Sequence, residues 1–325
     1  MIDRLAAQSL GLALDRLVGD PDWLWRRLPH PVVLIGKVIG SLDRWLNREV
    51  LGEAARRRRG VLAITLLVTG ALVSGFLLAA IFAAAGPLGL LLEAVVLAIF
   101  LAQKSLIDHV RAVADALDGE GLAAGRRAVA MIVGRDPEQL DAAGVSRAAI
   151  ESLAENASDG IVAPLLWYFL LGLPGLLAYK VVNTADSMIG HMSERHRAFG
   201  WAAARLDDVV NWPAARLTGM LFALAARLHG RARLGAVWAV TCRDAPSHRS
   251  PNAGWPETAM AVGLDVALGG PRRYGELVVE APMLNPAGRW DAESADIRAG
   301  LALFSTVANL LLAATLLALL LLSFG

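Results

Sequence analysis

Two stretches of this chain run without a single charge, Val61 to Ala85 for 25 residues and Ala299 to Gly325 for 27. About 20 apolar residues in helical form cross the roughly 30 Å of a bilayer's hydrocarbon. A backbone placed there must satisfy its own hydrogen bonds, which restricts it to helices or closed barrels. No period-two alternation calls for strands, so both stretches predict transmembrane helices. Leu88 to Ala102 is a third candidate, interrupted by Glu93. A composition 56% hydrophobic, with a mean hydropathy of +0.50, exceeds that of ordinary soluble chains. The expected fold is all-α: a polytopic helical membrane protein forming one integral membrane domain over 1–325. Membrane helices are expected near 3–18, 61–85, 88–106, 160–180 (broken), 213–228 and 299–323. Polar segments are expected at 20–59, 107–159, 183–212 and 229–298, the last loop-rich and without a sheet.

Charge and cysteine content exclude several classes. The net charge is +1, and no basic tract is interleaved with aromatics, so nucleic acid is not an expected partner. The run Arg56 to Arg59 stands directly before an apolar span, where it reads as a positive-inside anchor. Cys242 is the one cysteine, which rules out a disulfide framework and a cysteine metal site. Asp3 and Asp15 flank the first short apolar run, and no small-residue cleavage site follows, so the start does not read as a signal peptide.

Two dense groups of acids, amides and arginines flank the uncharged stretch from Gly160 to Tyr179. The first spans Glu151, Glu155, Asn156, Ser158 and Asp159. The second holds Asn183, Asp186, Glu194, Arg195, Arg205, Asp207, Asp208 and Asn211. Ionisable groups beside a bilayer are costly and usually mark a site. A helix continued through 147–159 would put Glu151, Glu155 and Asp159 on one face, where like charges repel unless a cation offsets them. Asn183, Asp186 and Gly190 share a helical face, and Gly190 would let a backbone or ligand approach closely. Asp207 and Asn211 are one turn apart, and Asp208 can pair with Arg205.

The stretch between the groups is broken by Gly172-Leu-Pro174-Gly175. Lys104, Arg111, Arg126, Arg127, Arg135 and Arg147 precede it, and Lys180, Arg195, Arg197 and Arg205 follow it. Basic residues on both sides predict that both flanks face the cytoplasm, which a re-entrant hairpin allows and a plain crossing does not. A hairpin would let the two groups act as halves of one site.

Carboxylates beside arginines and amides suit phosphate handled through Mg²⁺, which needs only one or two carboxylates and completes its shell with water and phosphate oxygens. Arginine adds bidentate donors to phosphate or carboxylate. The alternative is that these residues are ion pairs tying helices together; it is strongest for Arg205 with Asp208. His191 and His196 read as solvent-facing, and His30, between Pro29 and Pro31, as a turn residue held by a hydrogen bond. His248 is open between the two roles. No Walker A loop, His-Glu-x-x-His or Gly-x-Ser-x-Gly string is present. The residues alone lead to a membrane enzyme acting on a phosphorylated or carboxylated substrate with Mg²⁺.

Several motifs in one order add a resemblance covering nearly the whole chain. They are Asp15-Arg-Leu-Val-Gly19-Asp20-Pro21, Pro29-His30-Pro31-Val32 with Ile35-Gly36, Glu151 to Gly160, Asn183-Thr-Ala-Asp186-Ser-Met-Ile-Gly190, Ala204-Arg205-Leu-Asp207-Asp208, Asn211-Trp212 with Ala215-Arg216, and Ser250-Pro-Asn252-Ala-Gly254-Trp-Pro-Glu257. In these the chain resembles the CobD/CbiB family, the membrane-bound adenosylcobinamide-phosphate synthases of vitamin B12 biosynthesis. One departure is His191, Met192 and His196, where Tyr or Lys types are expected.

The resemblance implies an amide ligase. It would join a propionate carboxylate of adenosylcobyric acid to (R)-1-aminopropan-2-ol or its O-phosphate, with ATP as co-substrate and Mg²⁺ as cofactor. Catalytic candidates are Glu155, Asp159, Asp186 and Asp207, with Asp186, Asp207 and Glu155 as metal ligands. Substrate-binding candidates are Asp20, His30, Asn156, Asn183, Arg195, Arg205, Asp208, Asn211, Arg216, Ser250 and Asn252. The implied setting is the bacterial cytoplasmic membrane, multi-pass, with membrane lipid around it and the site facing the cytoplasm. Self-association, or assembly with other late cobalamin-pathway membrane enzymes, stays open. Trp23, Trp25, Trp45, Trp201, Trp212 and Trp255 offer flat apolar surface for a macrocycle and equally suit an interfacial belt. The competing classes are an AmpE-like regulatory membrane protein and a corrinoid transporter.

Overall fold

The computed structural model describes residues 1–134, 136–270, 272–274, 277–279 and 281–324. Arg135, one of the basic residues counted above, lies outside them. In chain order the helices are α1 (Ile2–Leu17), the short α2 (Asp22–Trp25), α3 (Pro31–Leu46), α4 (Glu53–Ala84), α5 (Pro87–Phe100), α6 (Gln103–Gly119) and α7 (Leu122–Ala130). There follow α8 (Ala142–Ala157), a π turn (Ser158–Val162), α9 (Ala163–Leu171), α10 (Leu173–Ile189), α11 (Trp201–Leu228), α12 (Leu234–Asp244), α13 (Gly254–Leu264) and α14 (Ser294–Phe324). Four helical runs are long and apolar enough to cross a membrane: α4, the α5–α6 run Pro87–Gly119, α11 and α14. The protein is an all-α polytopic membrane protein. The 16-residue α1 is not among the four.

The chain forms two compact units. The first comprises Met1–Ala102, Ala163–Asn211 and Ala314–Gly325. Here α4 packs along α10, with α3 against both, and α1 lies against α5 and α9. Ile39, Ile64, Leu67, Val181, Ile189 and Phe199 are central to the core. Gly75 sets the closeness of α4 to α10, since a Cβ there would stand 2.4 Å from the Pro174 Cα.

The uncharged stretch ends in a turn at Gly172, whose φ of 71° is open to glycine. Proline at the start of α10 then restarts the helix. α9 and α10 pack on each other, and a Cβ on Gly175 would stand 2.3 Å from the Trp167 carbonyl oxygen. The chain therefore turns back on itself, as the Gly/Pro break predicts. Arg4 donates to the carbonyls of Phe169 (3.0 Å) and Leu170 (3.1 Å), satisfying two groups that the end of α9 leaves open. The Tyr168 hydroxyl donates to Glu93 at 2.8 Å, so the one acid of the third apolar run is tied to this hairpin.

The second unit comprises Gln103–Val162 and Trp212–Ala313. There α8 packs against α6, α7 and α13, and α12 against α13. Two small antiparallel pairs join them, β1 (Leu268–Gly269) with β4 (Met283–Leu284), and β2 (Arg272–Tyr274) with β3 (Leu277–Val279).

Several sequence expectations need correction. The polar segment 20–59 is largely helical: it holds α2, α3 and the first turns of α4. His30 caps α3 by accepting from Val32 N at 3.1 Å, with Pro31 at the first helical position. Residues 213–228 are the second half of α11, which runs through Pro213. A proline removes one ladder bond, and Trp167 Nε1 donates at 3.1 Å to the neighbouring Val210 carbonyl. The expected helix over 88–106 is interrupted at 101–102, between α5 and α6. Residues 229–298, expected to be loop-rich and without a sheet, contain α12, α13 and the two strand pairs. Burial decides this for α13, where Thr258, Ala259, Met260 and Ala261 are all fully enclosed. Finally, α8 gives way to a π turn, so Asp159 does not continue the α-helical line of Glu151 and Glu155.

Candidate functional site

In the first unit the end of α10 and the start of α11 gather Asn183, Asp186, Asp207, Asp208 and Asn211. Asn183 and Asn211 lie beside the Asp207 carboxylate, and the charge of Asp186 reaches it. Asn211 is 1% exposed and accepts from the Tyr179 hydroxyl at 2.9 Å. Asp207 Oδ1 is buried without a hydrogen-bond donor. Asp186 lies beyond the uncharged stretch. Burial, and then the charge of Asp208, raises its pKa, with His191 opposing. Two carboxylates thus lie close enough for the charge of one to act on the other, with amides beside Asp207 and His191 acting on Asp186.

Gly190 serves this group in a way the sequence did not indicate. A Cβ there would stand 1.9 Å from Asp186 Oδ1, so the carboxylate itself occupies the space that the glycine leaves. The Gly190 φ of −78° suits any residue, which makes the constraint steric. Gly190→Ala is expected to push the Asp186 carboxylate aside and to crowd the Asp186 carbonyl oxygen at 2.7 Å, lowering activity about tenfold or more along with some stability. Turnover and melting temperature measured on the same sample check this.

Two of the nominated arginines already have carboxylate partners. Arg205 donates to Asp208 at 3.2 Å, as its spacing predicts. Arg195 donates to Asp43 Oδ2 through Nε (3.2 Å) and Nη2 (2.7 Å). Asn47 donates to Asp43 Oδ1 (2.8 Å) and to the Arg195 carbonyl (3.0 Å), and Arg56 donates to Asn47 Oδ1 (2.8 Å) and to the same carbonyl. His196 is no solvent-facing residue, since its Nε2 stands 3.5 Å from Asp43 Oδ1. Burial alone would raise Asp43. Hydrogen bonds from Asn47 and Arg195, with the charges of Arg195 and His196, outweigh it and hold the carboxyl below its usual range. Burial holds the His196 imidazole low, with Asp43 opposing.

Asp43 thus anchors the segment from Gly190 to Gly200. Sequence reasoning missed it because its partner Arg195 is 152 residues away; only the i, i+4 pair with Asn47 was visible. Asp43→Ala is expected to cost on the order of 1–3 kcal/mol and to speed tryptic cleavage after Arg195 and Arg197. A cleavage time course checks it.

Asp20 and His30 form a pair of their own, Oδ1 to Nε2 at 3.5 Å, with the Trp25 ring edge-on to the imidazole at 4.4 Å. His30 is therefore the hydrogen-bonded turn residue its neighbours predict, and its other nitrogen faces an acid.

In the second unit Glu151 is buried and accepts from Gly269 N at 2.8 Å, so it holds β1 in place. Glu155 and Asn156 are exposed at the end of α8, and Asp159 is half-buried on the π turn. Such turns occur often at functional sites. Asn156 donates to the Ser152 carbonyl at 2.9 Å. Farther along, Ser250 Oγ accepts from Asn252 N and Ala253 N, both at 3.2 Å, ordering the entry to α13. His248 Nδ1 accepts from Ser250 N at 3.1 Å, while its Nε2 stands 3.8 Å from Glu257, which is 1% exposed. Glu257 was in the quoted motif yet not among the nominated residues. Its apolar helix neighbours gave no sign that it would be buried beside an imidazole.

Arg216 differs from Arg195 and Arg205. Its Nη1 donates to neutral oxygens, Asn252 Oδ1 at 2.8 Å and the Trp212 carbonyl at 3.2 Å. Its guanidinium carbon stands 4.5 Å from the ring centres of both Trp212 and Trp255. The stack fixes the plane of the guanidinium without neutralising it.

A buried carboxylate oxygen without a donor, beside a second carboxylate, suits a hard cation. Among the described residues no group of three or more His, Cys, Asp or Glu is assembled for an ion, and Glu155 belongs to the other unit. Asp186 and Asp207 alone meet the smaller demand of Mg²⁺, for one or two carboxylates.

Residues 8–304 match the family described as CobD/Cbib protein. The chain belongs to the CobD/CbiB family. Among curated relatives called cobalamin biosynthesis protein CobD, that of a Sinorhizobium species is 57% identical over 91% of this chain and 92% of its own. The Brucella suis protein is 53% identical over 96% and 97%, and that of Rhodobacter capsulatus 48% over 92% and 92%. No solved structure matches the chain at a significant level. Membership in the CobD/CbiB family gives the protein a role in cobalamin biosynthesis.

Proposed function

We propose that this CobD/CbiB protein catalyses ATP-dependent ligation of adenosylcobyric acid with (R)-1-aminopropan-2-ol or its O-phosphate, giving adenosylcobinamide or its phosphate. The observation that carries the proposal is the Asp186–Asp207 pair, two acids near enough to feel each other's charge, one with a buried oxygen lacking a donor, in a family of cobalamin biosynthesis. A carboxylate does not react with an amine unaided. Its oxygen takes the γ-phosphoryl group of ATP and ADP leaves; the amine nitrogen then attacks the acyl carbon, phosphate departs, and the nitrogen gives up a proton.

The chain's residues divide these tasks. Magnesium held by Asp186 and Asp207 would offset charge on the ATP phosphates. Asn183 and Asn211 lie beside the Asp207 carboxylate. Arg216, undischarged by any acid among the described residues, grips a phosphate or carboxylate oxygen, with Asn252 orienting it and Ser250 shaping its loop. Glu155 at the end of α8 and Asp159 on the π turn are the carboxylates assigned to take the amine proton. Arg195 and Arg205, already paired, position their segments. Basic residues on both sides of the α9–α10 hairpin support a cytoplasmic-facing site in the bacterial inner membrane.

Membranes carrying the full-length protein, given adenosylcobyric acid, amine, ATP and Mg²⁺, should form the amide with one ADP per bond, read by mass spectrometry. Amide formed without ADP, or none from either amine, would defeat the proposal. Failure to restore growth to a strain blocked at this step, by a protein present in its membranes, would favour a regulatory role.

A further inference from the structure

A groove of about 520 Å³ opens in the first unit between α3 and α4, floored by Leu177 and Val181 of α10. Its α4 wall is Leu66, Leu67, Gly70, Ala71 and Ser74. These residues lie within the uncharged Val61–Ala85 stretch of a helix long and apolar enough to cross a membrane. Gly70 and Ser74 are exposed, so the groove opens to the side, where α4 meets hydrocarbon rather than water. Across the ridge of Val38 and Leu42 it continues into a second hollow of about 420 Å³, lined also by Lys37, Ser41 and Trp45. The Arg44 guanidinium donates to Ser41 Oγ at 3.0 Å, and with Lys37 and Ser41 it lines an adjoining hollow of about 720 Å³. Neither Lys37 nor Arg44 has an acidic partner among the described residues, and Trp45 is 64% exposed, as an indole at a membrane interface would be.

We propose that this paired hollow is a binding site for one anionic phospholipid, an acyl chain in the α3–α4 groove and the phosphate against Lys37 and Arg44. The apolar part excludes a soluble phosphate as the ligand, and the two cations select against a lipid without net charge. The site uses none of the residues assigned to ligation and stands whether or not that reaction is the right one.

The test uses full-length protein, delipidated in detergent and titrated with phosphatidylglycerol or phosphatidylcholine while bound lipid is counted by native mass spectrometry. The wild type should hold one phosphatidylglycerol roughly tenfold more tightly than phosphatidylcholine. The double variant K37Q/R44Q should lose that preference. Gly70→Phe should lose the bound lipid altogether, since a Cβ at Gly70 meets nothing within 4 Å and the ring would take the space of the acyl chain. A phosphatidylglycerol with a photoreactive acyl chain, used on unaltered protein, should label peptides from 31–42 and 66–74. Wild-type lipid binding by Gly70→Phe, an unchanged preference in K37Q/R44Q, or labelling confined to other peptides would each overturn the proposal. So would conversion of a dimer to a monomer by Gly70→Phe with lipid count unchanged, because the groove would then be covered by a second copy.

Discussion

Asp186→Asn should cost ligation about a hundredfold or more while making the protein more resistant to heat at neutral pH. The loss follows if Asp186 supplies one of two carboxylates to the metal-bound phosphate. The gain follows from burial. Folding raises the proton affinity of Asp186 above its unfolded value, so its ionised form is what weakens the fold. Below the unfolded value the side chain is neutral in both states, and the variant should differ little from the wild type. As pH rises through the folded-state value the wild type gives up stability and asparagine does not, so the gap opens in mild acid and persists above. Melting curves taken from about pH 4 to pH 8 without divalent ions would show it. Added Mg²⁺ should then raise the melting temperature of the wild type more than that of the variant. A variant less stable than the wild type at pH 8 would show that Asp186 is a structural ion-pair member instead.

Replacement of Arg216 should be nearly as damaging to activity, and lysine should not repair it. Arg216→Ala removes a guanidinium held between two indoles and tied to Asn252, and kcat/KM should fall about a hundredfold. Arg216→Lys restores the charge but neither the planar stack nor the fork of donors, so recovery should be small. By contrast, Arg205→Lys keeps its ion pair with Asp208 on an exposed surface and should change rates by less than about threefold. If steady-state kinetics ranked the two arginines the other way, Arg216 would be a structural wedge between Trp212 and Trp255.

What the sequence made legible and what it hid follow from range. The 61–85 and 299–325 spans were legible because an uncharged length is itself the physical requirement for crossing hydrocarbon. The turn at Gly172 was legible because a positive φ and a restarting proline are local. The local spacings of Asn183 with Asp186 and of Asp207 with Asn211 were legible for the same reason. The helix α3 was hidden because Lys37, Arg44 and Trp45 dilute its apolar face, and only packing against α4 and α10 shows which face is buried. The use of Arg195 was hidden because Asp43, on α3, takes its charge. Glu257 and α13 were hidden because burial of a short helix within the polar 229–298 stretch depends on what folds over it.

The π turn at Ser158–Val162 carries information of another kind. In effect it is one residue more than a regular helix needs, and each residue of an α-helix turns the next by about 100°. The direction in which Asp159 points relative to Glu155 is therefore written in the length of the chain, not in the kind of side chain at any position. Deleting one residue there could leave every acid present and every helix intact, yet aim one of them elsewhere.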